Sequence, residues 1–178
     1  MSSHRMLLRR ILLGVATGLL ASLPVIASEL QVSVEIPRLN VAEYHRPYVA
    51  IWIENHDRSS IINLAVWYDV KMKNNEGEKW LKDMVQWWRR SGRSLTMPVD
   101  GVSGATRAPG KHEVTFRQGE VPLGNLPAGE YKLIVEAARE VGGRELVQIP
   151  FTWPVQDAQN LQGQGSSELG AVQLNIKP

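Results

Sequence analysis

Apolar and polar residues alternate along much of the chain after its first 27 residues, a pattern that predicts β-strands. In LQVSVEI (residues 30–36) every second residue is apolar, which predicts a strand with one buried face. YVAIWIEN (residues 48–55) alternates in the same way, whereas INLAVWYDV (residues 62–70) is apolar on both faces, which predicts a central, covered strand. The two faces of residues 48–55 consist of Val49, Ile51 and Ile53, and of Tyr48, Ala50 and Trp52.

Four further strands are predicted in the second half of the chain. Tyr131 follows a Pro–Gly corner, as the tyrosine corner of immunoglobulin-like sandwiches does. The residues between 94 and 112 are rich in Gly and Pro and predict irregular structure, and residues 156–167 predict a polar linker. The four strands are HEVTFRQ (112–118), LPAGEYKLIVEAARE (126–140), RELVQIPFTWP (144–154) and ELGAVQLNIKP (168–178).

One stretch has the spacing of a helix instead. In EGEKWLKDMVQWWRRSG (residues 76–92), Trp80, Met84 and Trp87 recur at intervals of four and three residues. Two arginines occupy the predicted last turn, where cations interact favourably with the helix dipole, and Gly92 is a plausible stop. This is the single helix that the sequence predicts after the first 27 residues.

Together these patterns predict an all-β fold. Seven or so short strands with Greek-key-like spacing favour an immunoglobulin-like antiparallel β-sandwich with one inserted α-helix and a Gly-rich loop. We expect one domain over residues 28–178, with the glycine-rich loop at residues 100–106.

Residues 1–27 have the three parts of a secretory signal peptide. Arginines stand among the first ten residues, an apolar run covers residues 11–23, and the small-residue site VIA ends at Ala27. The alternative is a transmembrane anchor, but the apolar run is shorter than the roughly 20 residues that a spanning helix needs. We therefore expect a periplasmic protein, soluble and without a membrane span once the signal is removed.

Charge and cysteine content exclude several kinds of function. The predicted signal holds three arginines and no acidic residue, which leaves 17 basic and 18 acidic residues in the remainder. Such a balance does not predict a surface that binds nucleic acid. The absence of cysteine excludes disulfides, thiolate metal sites, iron–sulfur clusters and thioether-attached haem.

The stretch DGVSGAT, residues 100–106, resembles a flavinylation motif. The flavin-carrying subunits of sodium-pumping NADH:quinone reductase and of Rnf complexes contain Asp-x-x-Ser/Thr-Gly-Ala-Thr. There the exported FAD:protein FMN transferase joins FMN to the threonine by a phosphoester. This chain matches every fixed position, with Asp100, Ser103, Gly104, Ala105 and Thr106. The resemblance implies covalent FMN on Thr106.

The residue types of the motif suit an acceptor loop. Gly101 and Gly104 allow backbone conformations that other residues avoid, while Ser103 and Ala105 keep the loop small. Asp100 either caps the turn or is read by the transferase. Backbone N–H groups in such a loop are suited to hold a phosphodiester. The alternative is an ordinary loop, since Asp-Gly and Ser-Gly are common turn dipeptides.

A second resemblance covers most of the chain after the signal. EKWLKDMVQWWRRSG followed by DGVSGATRAPG is similar to segments of a family of predicted periplasmic flavinylated proteins. These are associated with PepSY-type membrane redox proteins and with FAD:protein FMN transferase, which are therefore the implied partners. Many flavinylation sites have a second hydroxyl residue three positions after the acceptor, where this chain has Pro109. The implied function is electron transfer by a flavin carrier rather than by a stand-alone enzyme.

Aromatic and basic residues precede the loop and are candidates for flavin contacts. A flat isoalloxazine ring stacks on aromatic faces, and Trp88 is the first candidate. Arg89 and Arg90 are candidates to pair with the FMN phosphate or the reduced ring. The alternative is that Trp80 and Trp87 pack the helix against the sandwich and that the arginines are solvated.

Two rival functions remain open. A sandwich with exposed tryptophans is suited to bind a sugar or another periplasmic ligand without flavin. A metal or haem chaperone would use the histidines after the signal, but His45, His56 and His112 lack close metal-ligand spacing. We expect no metal site and no catalytic triad.

Overall fold

A computed structural model describes residues 28–178, so the predicted signal peptide at residues 1–27 lies outside the described part. The described residues form nine β-strands, one α-helix and two 3₁₀ helices. The strands are β1 (Glu29–Ile36), β2 (Tyr48–Asn55), β3 (Ile61–Tyr68), β4 (Ser103–Ala105), β5 (Gly110–Arg117), β6 (Gly129–Ala138), β7 (Arg144–Trp153), β8 (Gln159–Gln164) and β9 (Ala171–Lys177). The helices are the 3₁₀ helices Lys73–Asp83 and Gly92–Ser94 and the helix α1 (Val85–Arg90).

The strands form two sheets, which confirms the predicted all-β sandwich with an inserted helix. The four-stranded sheet has the order β5-β1-β9-β8, and the five-stranded sheet has the order β4-β3-β2-β6-β7. Every pairing is antiparallel except that of β3 with β4, which is parallel. The long connection between β3 and β4 makes this parallel pairing possible.

The main core lies between the two sheets and follows the predicted alternation. Strand β1 buries its apolar residues there, and β2 contributes Val49, Ile51 and Ile53, each at most 1% exposed. These positions are the ones that the two-residue period assigns to a single face. The predicted inward faces of both strands are therefore confirmed.

A second apolar layer covers the outer face of the five-stranded sheet. Residues 69–102, here called the covering segment, lie between β3 and β4. Leu81, Met84 and Trp87 of this segment pack on the opposite face of β2, which includes Trp52. The two faces that the alternation assigns to residues 48–55 thus meet two different layers, one sheet and one covering segment.

The inserted helix is shorter than the sequence predicts. Only Val85–Arg90 is α-helical, while residues 73–83 form a 3₁₀ helix in which Asn74 and Asn75 have positive φ. Helix α1 has no side-chain cap of its own. Its N–H groups at Gln86 and Trp87 instead donate to the buried Glu136 carboxylate on β6, at 3.0 and 2.7 Å. A distant strand therefore sets where this helix begins.

Two predictions of irregular structure are wrong. Residues 159–164 of the expected polar linker form β8, an edge strand that pairs with β9. Glutamine and asparagine have low β propensity, but hydrogen bonding to β9 overrides it. Residues 103–105 of the expected irregular region form the short strand β4.

The tyrosine corner is confirmed. The Tyr131 hydroxyl donates to the carbonyl of Pro127 at 2.8 Å, and its ring stacks on Phe151 in the core. The bond holds the entry of β6 as the sequence predicts.

Candidate functional site

The motif DGVSGAT begins in a tight turn and ends in a strand. Gly101 has a φ of 73°, which favours glycine, and the N–H groups of Val102 and Ser103 donate to the carbonyl of Val99. The Ser103 hydroxyl accepts a hydrogen bond from the Val99 N–H at 2.8 Å. Ser103 therefore closes the turn, and Asp100 stands exposed at its tip.

The second half of the motif lies along the edge of the five-stranded sheet. Gly104 is opposite Trp67 in the parallel pairing of β4 with β3. A Cβ atom on Gly104 would lie 3.4 Å from the Trp67 ring, and Ala105 is exposed. Thr106 follows directly, with its N–H bonded to the Tyr68 carbonyl at 3.2 Å. The sheet edge thus fixes the backbone of the acceptor residue.

The Thr106 side chain is half-buried and contacts a carboxylate. Its hydroxyl donates to Oδ1 of Asp69 at 3.2 Å. Asp69 is the first residue after β3, so the strand that pairs with β4 also delivers the carboxylate to the end of the motif. The O···O distance is long for a hydroxyl donor, which usually lies at about 2.5–3.0 Å, so the hydroxyl is held loosely.

Thr106 lines a pocket of about 340 Å³ at one end of the five-stranded sheet. The start of β2 and the ends of β3, β4 and β6 meet at this end because β2 runs antiparallel to its two neighbours. The covering segment supplies another part of the wall. The Thr106 pocket is lined by Tyr44, His45, Arg46, Tyr48, Asp69, Met72, Trp80, Asp83, Thr106, Ala138, Arg139 and Glu140.

The pocket wall contains a buried guanidinium with an unused donor. Arg139 is 6% exposed and binds Glu168 through Nε at 2.8 Å and Nη2 at 3.1 Å. Its Nη1 has no hydrogen-bond partner among the described residues, and neither has the hydroxyl of Tyr44. Both atoms are shielded from solvent, so they lie inside the wall and not at the pocket surface.

Two phenols at the pocket keep their protons. Burial raises the pKa of Tyr48 to about 12. Burial also raises the pKa of Tyr44, against the lowering effect of the positive charge of Arg139. Both groups are therefore neutral near pH 7 and can donate hydrogen bonds.

The structure separates the three tryptophans that precede the motif. Trp80 is 41% exposed and lines the Thr106 pocket. Trp87 is fully buried, and its indole N–H donates to Asn63 at 2.8 Å, so it attaches the helix to the sheet. Trp88 is half-buried against the same apolar layer and is not among the residues of the Thr106 pocket. Of the three, Trp80 is the one beside the acceptor.

Arg89 and Arg90 also lie away from the Thr106 pocket. With Arg58 and Arg144 they line a separate surface depression. Arg90 Nε donates to the buried carboxylate of Glu54 at 2.9 Å. The predicted position of both arginines in the last turn of the helix is confirmed, but the fold does not bring them to Thr106.

The three histidines within residues 28–178 do not come together. His45 lines the pocket and lies 2.8 Å from Glu43, whereas His56 lies near Glu130 and His112 contacts the Ala108 carbonyl. Across residues 28–178, no three side chains of His, Cys, Asp or Glu are grouped as metal ligands would be.

Sequence reasoning did not identify Asp69, Tyr44 and Arg139 as site residues. Asp69 carried a weak signal, because it is the acidic residue that ends an apolar strand. Tyr44 and Arg139 carried none, since they are far from the motif along the chain and only the sheet topology brings them near it.

Comparison with known proteins identifies the family. No helix in the described part of the chain is both long enough and apolar enough to cross a membrane. No curated protein and no solved structure is significantly similar to this chain. A family model described as "Predicted periplasmic protein (DUF2271)" matches residues 29–171, which include strands β1 to β8 and the motif. The chain therefore belongs to this family of predicted periplasmic proteins, and its location is the periplasm.

Proposed function

We propose that the protein carries FMN, attached by a phosphoester to Thr106, and transfers electrons in the periplasm. The observation that carries the proposal is that Thr106, the last residue of DGVSGAT, combines a backbone fixed at a sheet edge with a hydroxyl at a pocket wall. The proposed partners are FAD:protein FMN transferase, which attaches the group, and a PepSY-type membrane redox protein, which exchanges electrons with it.

The residues around Thr106 fit a bound flavin phosphate. Arg107 follows Thr106 in sequence, and its guanidinium lies 5.2 Å from the centre of the Trp67 ring. Arg46 lines the pocket, and among residues 28–178 neither arginine forms a salt bridge. Cationic side chains near the acceptor favour a phosphodiester and offset the charge of Asp69.

The attachment chemistry balances with Thr106 as the nucleophile. Thr106 Oγ1 bonds to the phosphorus on the flavin side of FAD, the bond from that phosphorus to the AMP oxygen breaks, and AMP leaves. The hydroxyl proton passes to a base and leaves with AMP, and Asp69, which accepts the hydrogen bond from the hydroxyl, orients it. The protein gains one FMN less one water. The bound flavin supplies one- and two-electron chemistry, while the protein tethers and orients it.

A second candidate is a module that binds a periplasmic ligand without flavin. The exposed indole of Trp80 at the pocket favours it, because such a face also stacks on a sugar or another flat ligand. In that case the motif is a loop at the pocket rim, and Thr106 stays unmodified.

The intact mass of the protein separates the two candidates. The chain is co-expressed in the periplasm with FAD:protein FMN transferase, beside Thr106→Ala and Thr96→Ala. Thr96 is an exposed hydroxyl residue of the covering segment, so its variant controls for the loss of a threonine near the motif. We expect the mass of the wild type and of Thr96→Ala to increase by one FMN less one water, and the mass of Thr106→Ala to stay unchanged. An unmodified wild type, with the transferase active on a control substrate, contradicts flavinylation and favours the ligand-binding candidate.

A further inference from the structure

We propose that the Thr106 pocket is also the seat of the flavin ring, with Trp80 as the stacking side chain. This inference rests on the proposed attachment of FMN to Thr106. It adds that the tethered ring folds back onto this chain instead of extending into solvent.

Thr106 and Trp80 border the same pocket, although 26 positions separate them in sequence. The volume of about 340 Å³ is at the lower end of the roughly 300–1,000 Å³ typical of small-molecule sites. A group tethered at the wall therefore has a concave surface beside it, formed by the same chain.

The indole of Trp80 is left exposed at the pocket. The neighbouring residue Leu81 is 1% exposed and Trp87 is fully buried, so the covering segment is anchored to the sheet without Trp80. Met72, also at the pocket, is 45% exposed. A large indole and a thioether left beside a pocket form an apolar surface that a flat aromatic ring can cover.

The charges of the pocket agree with a neutral ring system rather than a second anion. Asp69, Asp83 and Glu140 line it together with Arg46 and Arg139, and Glu168 already neutralises Arg139. The cationic residue next to the acceptor, Arg107, is not among the pocket residues. The phosphate thus stays at Thr106, and the uncharged ring occupies the pocket.

Flavin fluorescence of the FMN-loaded protein tests the inference. Stacking on tryptophan quenches flavin emission, so the loaded wild type should emit several-fold less than the same sample after unfolding. Trp80→Leu should recover most of that emission. Trp88→Leu is the matched control, because it removes an indole of the same segment outside the pocket, and it should stay quenched.

The intact mass of each sample is measured in parallel and separates this inference from the proposed function. A loaded wild type that emits as strongly as its unfolded form overturns the ring site and leaves the attachment in place. The same holds if Trp88→Leu restores the emission and Trp80→Leu does not. If the wild type does not gain the mass of FMN although the transferase is active, both the ring site and the attachment to Thr106 are overturned.

Discussion

The hydroxyl of Thr106 donates to Oδ1 of Asp69 across 3.2 Å, from the residue after β4 to the residue after β3. The two strands are parallel neighbours, so both chains arrive at this point in the same direction. The pairing of two strands thus places a carboxylate beside the hydroxyl that the motif singles out. Because the bond is long, the hydroxyl can leave it for an incoming phosphorus without a large loss of free energy.

Asp69→Ala should slow the attachment of FMN by about five- to tenfold, the effect of losing one orienting hydrogen bond of about 1–1.5 kcal/mol. Asp83→Ala is the matched control, because Asp83 lines the same pocket and the Thr106 hydroxyl does not bond to it. The measurement is the rate of FMN incorporation by intact mass with purified transferase and FAD. Equal rates for Asp69→Ala and the wild type would contradict a role for Asp69 in orienting the acceptor.

Substitution of Gly101 should affect the stability of the protein, whereas substitution of Gly104 should affect the attachment of FMN. Gly101 has a φ of 73°, so Gly101→Ala should lower the free energy of unfolding by about 1 kcal/mol. Gly104 has no such constraint, and a Cβ there makes an ordinary contact with Trp67. Gly104→Ala should leave the free energy of unfolding unchanged but prevent the incorporation of FMN. Gly104 is a fixed position of the motif, and Gly101 is not. Chemical denaturation and intact mass check the two effects. If Gly104→Ala destabilised the protein and Gly101→Ala blocked FMN incorporation, the prediction would be wrong. Gly104 would then be required by the fold, and Gly101 would be recognised by the transferase.

Glu136→Ala should be strongly destabilising. The Glu136 carboxylate is fully buried, and it accepts hydrogen bonds from two backbone N–H groups of helix α1 and from Arg144 at 2.8 Å. Its removal leaves the two backbone N–H groups of helix α1 without partners, and each unpartnered buried group costs about 1–3 kcal/mol. Urea denaturation measures the change. Glu130→Ala, on the exposed start of the same strand, should change the stability by less than about 0.5 kcal/mol. Similar losses for both would argue against this role.

The stability of the loop between β8 and β9 should depend on pH through Glu145. Burial alone would raise the pKa of this carboxyl, but hydrogen bonds from the backbone N–H groups of Leu169, Ser166 and Ser167 outweigh it and lower the pKa to about 2. A lowered pKa in the folded state contributes stability above the ordinary value, and this contribution is lost as the pH falls towards 2.

Glu145→Gln should therefore lower the free energy of unfolding by about 1–3 kcal/mol at pH 7. The difference from the wild type should shrink as the pH falls below the ordinary carboxyl pKa of 4.5 towards about 2. Denaturation curves across this range provide the test, with the exposed Glu113 as the control position. A difference that does not change with pH would show that the hydrogen bonds do not depend on the charge of Glu145.

The sequence by itself determined the layers of the fold. The two-residue period assigned Val49, Ile51 and Ile53 to one face of β2 and Trp52 to the other, and both assignments hold because side-chain direction in a strand follows from local backbone geometry. The corner at Tyr131 was visible for the same reason, since its partner is only four residues away. The motif ending at Thr106 was also a local pattern of small residues.

Only the tertiary structure decided what surrounds Thr106. Helical spacing treated Trp80 and Trp87 alike, yet one lies at the pocket and the other in the core, because the 3₁₀ turns before α1 change the direction of the chain. Strand β4 has three residues, and without β3 beside it nothing in its sequence specifies a strand. Asp69 and Arg139 directly follow β3 and β6, and Tyr44 lies in the connection before β2, so three separate parts of the chain line the pocket. Their approach depends on sheet order and on contacts between distant residues, which no local pattern of side chains encodes.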